Sequence, residues 1–278
     1  VKIAIATKSS VFLVLVFVFL HQIAAYKSPK CFLGDSPKIS DAKGTGKMSA
    51  QRIVIGKGAD DYPEGSRGDG TEYLLRNVLW QLRDEEFEKQ SWSGAKFTCP
   101  GCGRNLRYYC ERCLQLVGNK LLVPSVELPI ELVILQHRSE SRAKSTAVYG
   151  QLVSPQCNIR MFPEELPADL DPADTIVLFP SQDARDAAAV DWLRVRRAVL
   201  VDTTWITTQK MLSHPAVAAL PCVALRAEQT SYWRYHAHGA GCLSTIECCF
   251  HLLRQRSLAL KGSYGGEYDR LMFLHAHF

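Results

Sequence analysis

Four short apolar runs set the architecture open to this chain. Glu131-Leu-Val-Ile-Leu135, Thr175-Ile-Val-Leu-Phe179, Ala198-Val-Leu-Val201 and Cys222-Val-Ala-Leu225 are continuous rather than alternating. A strand that is apolar on both faces must be covered on both, which is the condition of a parallel sheet between helical layers. Segments 183–194, 205–213 and 244–260 carry helical patterning, so the chain reads as α/β with a mostly parallel sheet.

In a parallel sheet, whatever follows each strand gathers at one edge, and that edge is where open α/β sheets bind ligands. His137 to Glu140 follow the first run, Pro180-Ser181 the second and Asp202-Thr203-Thr204-Trp205 the third. Two readings of the third junction stand together. Asp202, Thr203 and Thr204 are good caps for a helix running through Leu212, and they also set a carboxylate and two hydroxyls where a pocket would lie. Ser181 likewise reads as the cap of a helix beginning at Gln182. Ser244-Thr245-Ile246-Glu247 has the form of a capping box, whose free helix N–H groups also suit an anionic ligand group.

Four of the ten cysteines form Cys99-Pro-Gly-Cys102 and Cys110-Glu-Arg-Cys113. Two such turns present four sulfurs to one tetrahedral ion, the pattern of a closed, structural zinc ribbon, with two disulfides or a redox pair as the competing readings. Downstream, Tyr232-Trp233-Arg234-Tyr235-His236 interleaves aromatic with positive groups. That pattern suits stacked bases and phosphates, or a buried aromatic strand with a polar edge.

The beginning of the chain differs in kind. Lys2 and Lys8 precede the apolar run Val11–Leu20, the layout of a secretory or organelle-targeting leader over residues 1–25, and the run is too short for a comfortable membrane span. Residues 26–70 are rich in Lys, Ser, Gly and Asp and read as a linker. A helix with the ribbon is expected over 71–123 and the main domain over 124–278. The formal charge of +5 permits a polyanionic partner without requiring one.

Taken in order, Cys99-x-x-Cys102…Cys110-x-x-Cys113, His137-x-x-Glu140, Lys144-Ser145-Thr146, Leu178-Phe179-Pro180-Ser181, Asp202-x-Thr204-Trp205, Tyr232-Trp233-Arg234, Leu243 to Glu247 and Tyr268-Asp269 resemble the DTW-domain family, the tRNA-uridine aminocarboxypropyltransferases, in its eukaryotic branch. The likeness spans about residues 97–278 and departs at Arg138, where the family commonly has Pro. It implies a SPOUT-like fold with a trefoil knot, which no periodicity reveals. It also implies S-adenosylmethionine as donor of a 3-amino-3-carboxypropyl group to N3 of a tRNA uridine, with tRNA as partner and no membrane attachment of the mature domain. On that reading Asp202, Thr204 and Trp205 are catalytic. Pro180, Ser181, Thr203, Ser244, Thr245 and Glu247 hold the donor, and His137, Tyr232, Trp233 and Arg234 meet the RNA. The resemblance points to cytoplasm or nucleus, and to a plastid if the leader is genuine. Uridine N3–H must lose a proton while the sulfonium leaves as a neutral thioether, so one carboxylate base and good alignment suffice. The rival readings are a non-catalytic zinc-ribbon RNA-binding module and a SPOUT-type methyltransferase.

Overall fold

The structure is a computed structural model that describes residues 69–278, apart from 182, 227 and 232–242 and the side chains of 91, 92, 205 and 206. The expected leader, the linker up to residue 68 and the RNA-facing Tyr232, Trp233 and Arg234 lie outside the described residues. The chain enters through α1 (Asp69–Tyr73), which continues as a wider turn over Leu74–Val78, and α2 (Glu85–Trp92). Two small antiparallel hairpins follow, β1 (Phe97–Thr98) with β2 (Asn105–Leu106) and β3 (Tyr109–Cys110) with β4 (Gln115–Leu116).

The main sheet is built from β5 (Glu131–His137), then α3 (Ala147–Val153), β6 (Cys157–Phe162), β7 (Thr175–Leu178), β8 (Arg185–Asp186) and β9 (Arg197–Asp202). After these come α4 (Trp205–Leu212), α5 (Pro215–Ala218), β10 (Cys222–Ala224), the long α6 (Thr245–Lys261) and α7 (Phe273–His277). The six strands lie in the order β6-β5-β9-β7-β10-β8 and every pairing is parallel.

Both faces of the sheet are covered, as the continuous apolar runs require. Leu132, Ile134, Ile176, Ala198 and Leu200 face one layer, where α3 and α6 contribute Val148, Val153, Ile246, Phe250 and Leu253. Their neighbours Val133, Leu135, Val177 and Val199 face the other, with Met211, Val217 and Leu220 from the α4–α5 region. Each large aliphatic side chain withdrawn from water stabilises the fold by about 1.5–3 kcal/mol.

Two expectations need correction, and one strand carried no sequence signal. No helix occupies 183–194: Arg185 and Asp186 pair with Val223 and Ala224 as an edge strand, and Asp186 then caps a short 3-10 turn at Ala187–Ala189 by accepting from Ala188 N at 2.7 Å. The Trp192 indole donates to the Ala187 carbonyl at 2.7 Å and is buried, so tertiary contacts override local helix propensity. Ser181 therefore caps no helix at residue 182. Finally β6 was missed, because Cys157-Asn-Ile-Arg-Met-Phe162 mixes polar and apolar residues, as an edge strand with one open face does.

Candidate active site

The sheet has a switch point between β5 and β9. The chain leaves β5 toward β6 on one side and leaves β9 toward β10 on the other, so the connections diverge at the carboxyl ends of these strands, the place where open α/β sheets bind ligands. Asp202 is the last residue of β9 and stands in register with Gln136 of β5. Its carboxylate is held from three sides. Oδ2 accepts from Gln136 Nε2 at 2.7 Å and from the Ser145 hydroxyl at 2.7 Å, and Oδ1 accepts from the Thr245 hydroxyl at 2.8 Å. An ionised carboxylate offers about four acceptor sites. Oδ1, with one donor among the described residues, is the oxygen with capacity to spare.

Each donor is placed by the fold. Gln136 is the buried penultimate residue of β5, Ser145 follows the 3-10 turn Arg142–Lys144, and Thr245 is the first residue of α6. Thr146 ties the last two segments together, because its Oγ1 accepts from Ile246 N at 3.3 Å. The N-terminal end of α6, with its positive dipole, thus sits beside the carboxylate. Asp202 does not cap α4. Thr204 takes the N-cap position without a side-chain capping bond, and its hydroxyl meets that of Thr207 at 2.9 Å. The Thr203 hydroxyl also meets Thr207 Oγ1 closely.

The other expected residues are placed as follows. Ser244 and Glu247 form the capping box of α6, and Glu247 is buried. The exposed Ser181 hydroxyl donates to Cys222 Sγ at 3.2 Å, on the same carboxyl edge but bonded to β10 rather than to Asp202. Pro180 beside it is exposed. His137 ends β5 half-exposed, with Nδ1 2.7 Å from the Ser139 hydroxyl. Of the junctions expected to converge, those of Asp202 and of Ser244-Thr245 do so through a direct bond. Sequence reasoning assigned no role to Gln136 or Ser145. Ser145 lay in a motif already singled out, and an amide closing an otherwise apolar strand is the signal that marks Gln136.

A second cluster stands on the two hairpins. The four sulfurs of Cys99, Cys102, Cys110 and Cys113 lie within 4.8 Å of one another, with Cys102 and Cys110 at 3.6 Å. Thiolates about 2.3 Å from a tetrahedral zinc would stand about 3.8 Å apart, so the donor set fits such an ion. The two turns are alike: the residue after each Cys-x-x-Cys takes a positive φ, 72° at Gly103 and 52° at Leu114. The left-handed conformation costs a non-glycine residue about 1–2 kcal/mol, so the surrounding turn must hold Leu114 there. The hairpins rest on the main domain through Tyr108, whose ring stacks on Phe87 at 4.6 Å and meets Phe278 edge-on at 5.0 Å.

Comparison with known proteins bears on this geometry. The family model of the DTW domain matches residues 107–278. The chain is similar to the tRNA-uridine aminocarboxypropyltransferase 1 of Mus musculus, 26% identical over 261 residues that take in 77% of this chain and 85% of the mouse protein. The proteins of that name from Xenopus tropicalis and Homo sapiens align at 23% and 22% identity, each over 74% of this chain and over 86% and 83% of their own lengths. No solved structure matches.

Proposed function

This chain belongs to the DTW domain family, and from that premise we propose that it transfers the 3-amino-3-carboxypropyl group of S-adenosylmethionine to N3 of a uridine in tRNA. The observation that carries the reading is the Asp202 carboxylate, fixed by three donors at the switch point with acceptor capacity left on Oδ1. An oriented carboxylate there accepts the N3–H proton as the nitrogen bonds to the aminocarboxypropyl carbon attached to the sulfonium sulfur. The carbon–sulfur bond breaks, its electron pair neutralises the sulfonium, and methylthioadenosine leaves while the proton passes from Asp202 to solvent.

The chain's own groups supply the rest. The α6 N-terminus and the Thr203, Thr204 and Ser181 hydroxyls line the strand-end edge and suit the donor's carboxylate and ribose. Arg234, Tyr232, Trp233 and His137 are the proposed contacts to RNA. The four cysteines are proposed to hold a structural zinc whose ligand shell is closed, so the ion would fold the ribbon and take no part in transfer. Kinship with the SPOUT class and its knot belongs to the same reading, supported by the late insertion of β9 between β5 and β7.

The test is mass spectrometry of nucleosides from tRNA incubated with the protein and S-adenosylmethionine. A uridine heavier by an aminocarboxypropyl group, with methylthioadenosine as by-product, is the expected result. A methylated base with adenosylhomocysteine, or no mass gain at all, overturns it.

A further inference from the structure

The hydrogen bonds behind Asp202 do not stop at Gln136. The Gln136 side chain is fully buried, and its amide has two different neighbours. Nε2 faces the Asp202 carboxylate at 2.7 Å, while Oε1 accepts from Arg142 Nε at 3.2 Å. A carboxylate accepts and a guanidinium donates, so only one orientation of the amide satisfies both. Arg142 in turn donates from Nη1 to the backbone carbonyl of Arg112 at 3.4 Å. Arg112 lies inside the second cysteine turn, between Cys110 and Cys113. A continuous path therefore runs from the ribbon to the carboxylate.

We infer that Gln136 is a positioning residue for Asp202, and that Arg142 is the strut through which the cysteine ribbon sets the angle of that carboxylate. The inference rests on the proposed aminocarboxypropyl transfer and goes beyond it, since it gives the ribbon a part in placing the reacting group rather than in holding RNA. A carboxylate turned away from the uracil edge misses the proton it must take, and misplacement of about 1 Å costs on the order of a hundredfold in rate.

Two arms test it. Gln136→Leu should lower kcat at least tenfold at every pH with binding of S-adenosylmethionine unchanged. Gln136→Glu keeps the acceptor for Arg142 but sets a carboxylate beside Asp202. Two carboxylates at that distance retain one shared proton, and the protonated partner donates as the amide did. Among the described residues, Arg142 from the turn donates to Gln136, and the buried Cys249 thiol of α6, pushed up by Cys157 and burial, is pushed up further by Asp202. Gln136→Glu should therefore work at low pH and lose activity as the pH rises through the pair's upper ionisation, an alkaline limb absent from the parent. A structural role alone would not create that limb.

For the strut, Arg142→Met should lower kcat roughly tenfold while zinc content and tRNA affinity hold. Stripping the metal from the parent with a chelator should cost a similar factor, with circular dichroism showing the main domain intact, and stripping it from Arg142→Met should add little. The inference fails if Gln136→Leu turns over normally, if Gln136→Glu keeps the parental pH profile, or if metal removal costs the parent and Arg142→Met equally. Absence of any transfer by the parent overturns this inference and the function beneath it; an active parent with an equally active Gln136→Leu overturns the positioning alone.

Discussion

Two carboxylates stand near the start of α6, and their surroundings assign them opposite work. Asp202 is half-buried and, among the described residues, carries three donors and keeps acceptor capacity on Oδ1. Glu247 is buried, and all four of its acceptor positions are filled. Oε1 takes Ser231 N at 2.5 Å and the Ser231 hydroxyl at 2.6 Å, and Oε2 takes the Thr230 hydroxyl at 2.8 Å and Ser244 N at 2.7 Å. Burial opposes ionisation of Glu247, but the nearby His275 and the donors from Ser231 and Ser244 hold its carboxyl below the usual range. A saturated carboxylate fixes the chain segments that meet at it; an unsaturated one has something left to offer a substrate.

The strongest way to break this contrast is to remove one charge from each site. In Asp202→Asn the new amide keeps its oxygen toward Gln136 and Ser145 and turns its nitrogen to Thr245, whose hydroxyl accepts as readily as it donates. Folding should survive within about 1 kcal/mol, while transfer falls by about 10²–10⁴-fold as the general base is lost. Single-turnover kinetics on tRNA beside a thermal melt reads both. A variant that keeps near-normal turnover would remove Asp202 from the chemistry.

Glu247→Gln should show the reverse. Each Glu247 oxygen accepts from one backbone N–H, so whichever way the amide lies, its NH2 meets a buried N–H donor. Two donors facing each other without water cost about 2–4 kcal/mol, read as a lower midpoint in denaturant. A midpoint shift no larger than that of Asp202→Asn would erase the distinction between the sites.

The acid side of the stability profile sharpens it further. Burial pushes the imidazoles of His251 and His275 below their ordinary value of 6.5, with Glu228 and Glu247 opposing only in part. Below pH 6.5 the unfolded chain therefore binds more protons than the folded one, and stability falls as the pH drops. It is complete above that value. Glu247, itself held below the usual carboxyl range, adds its loss at lower pH still. The melting temperature should decline from pH 7 to pH 5.5 in the parent and equally in Asp202→Asn. A flat profile would mean that these imidazoles titrate in the fold as they do in the unfolded chain.

How much of this was legible beforehand follows from the range of each signal. The four strands covered on both faces announced themselves as apolar runs, because a residue's burial on each face is written at that residue. The cysteine turns were equally plain, their geometry being set by spacing alone. The clasp around Asp202 was not, since its donors sit 66, 57 and 43 positions away and only the topology brings them together. The short helices α3 and α7 were not assigned either: each is under nine residues long and largely buried, so neither has a polar face to create a helical period. At 183–194 the alanine-rich stretch favoured a helix locally, but the edge of β10 and the seat of Trp192 decided otherwise.

Thr204 gives the smallest and most discriminating expectation. Its position starts α4, yet its hydroxyl makes no capping bond and lies exposed beside that of Thr207. A capping threonine replaced by alanine loses about 1 kcal/mol, whereas one that caps only through its backbone loses much less. Thr204→Ala should therefore move the denaturation midpoint by less than about 0.5 kcal/mol. If the hydroxyl serves the donor instead, KM for S-adenosylmethionine should rise several-fold with kcat nearly unchanged, the mark of a contact made equally before and during transfer. A fall in stability with KM untouched would return Thr204 to the helix and leave Asp202, Thr245 and Ser145 as the polar edge that meets the substrates.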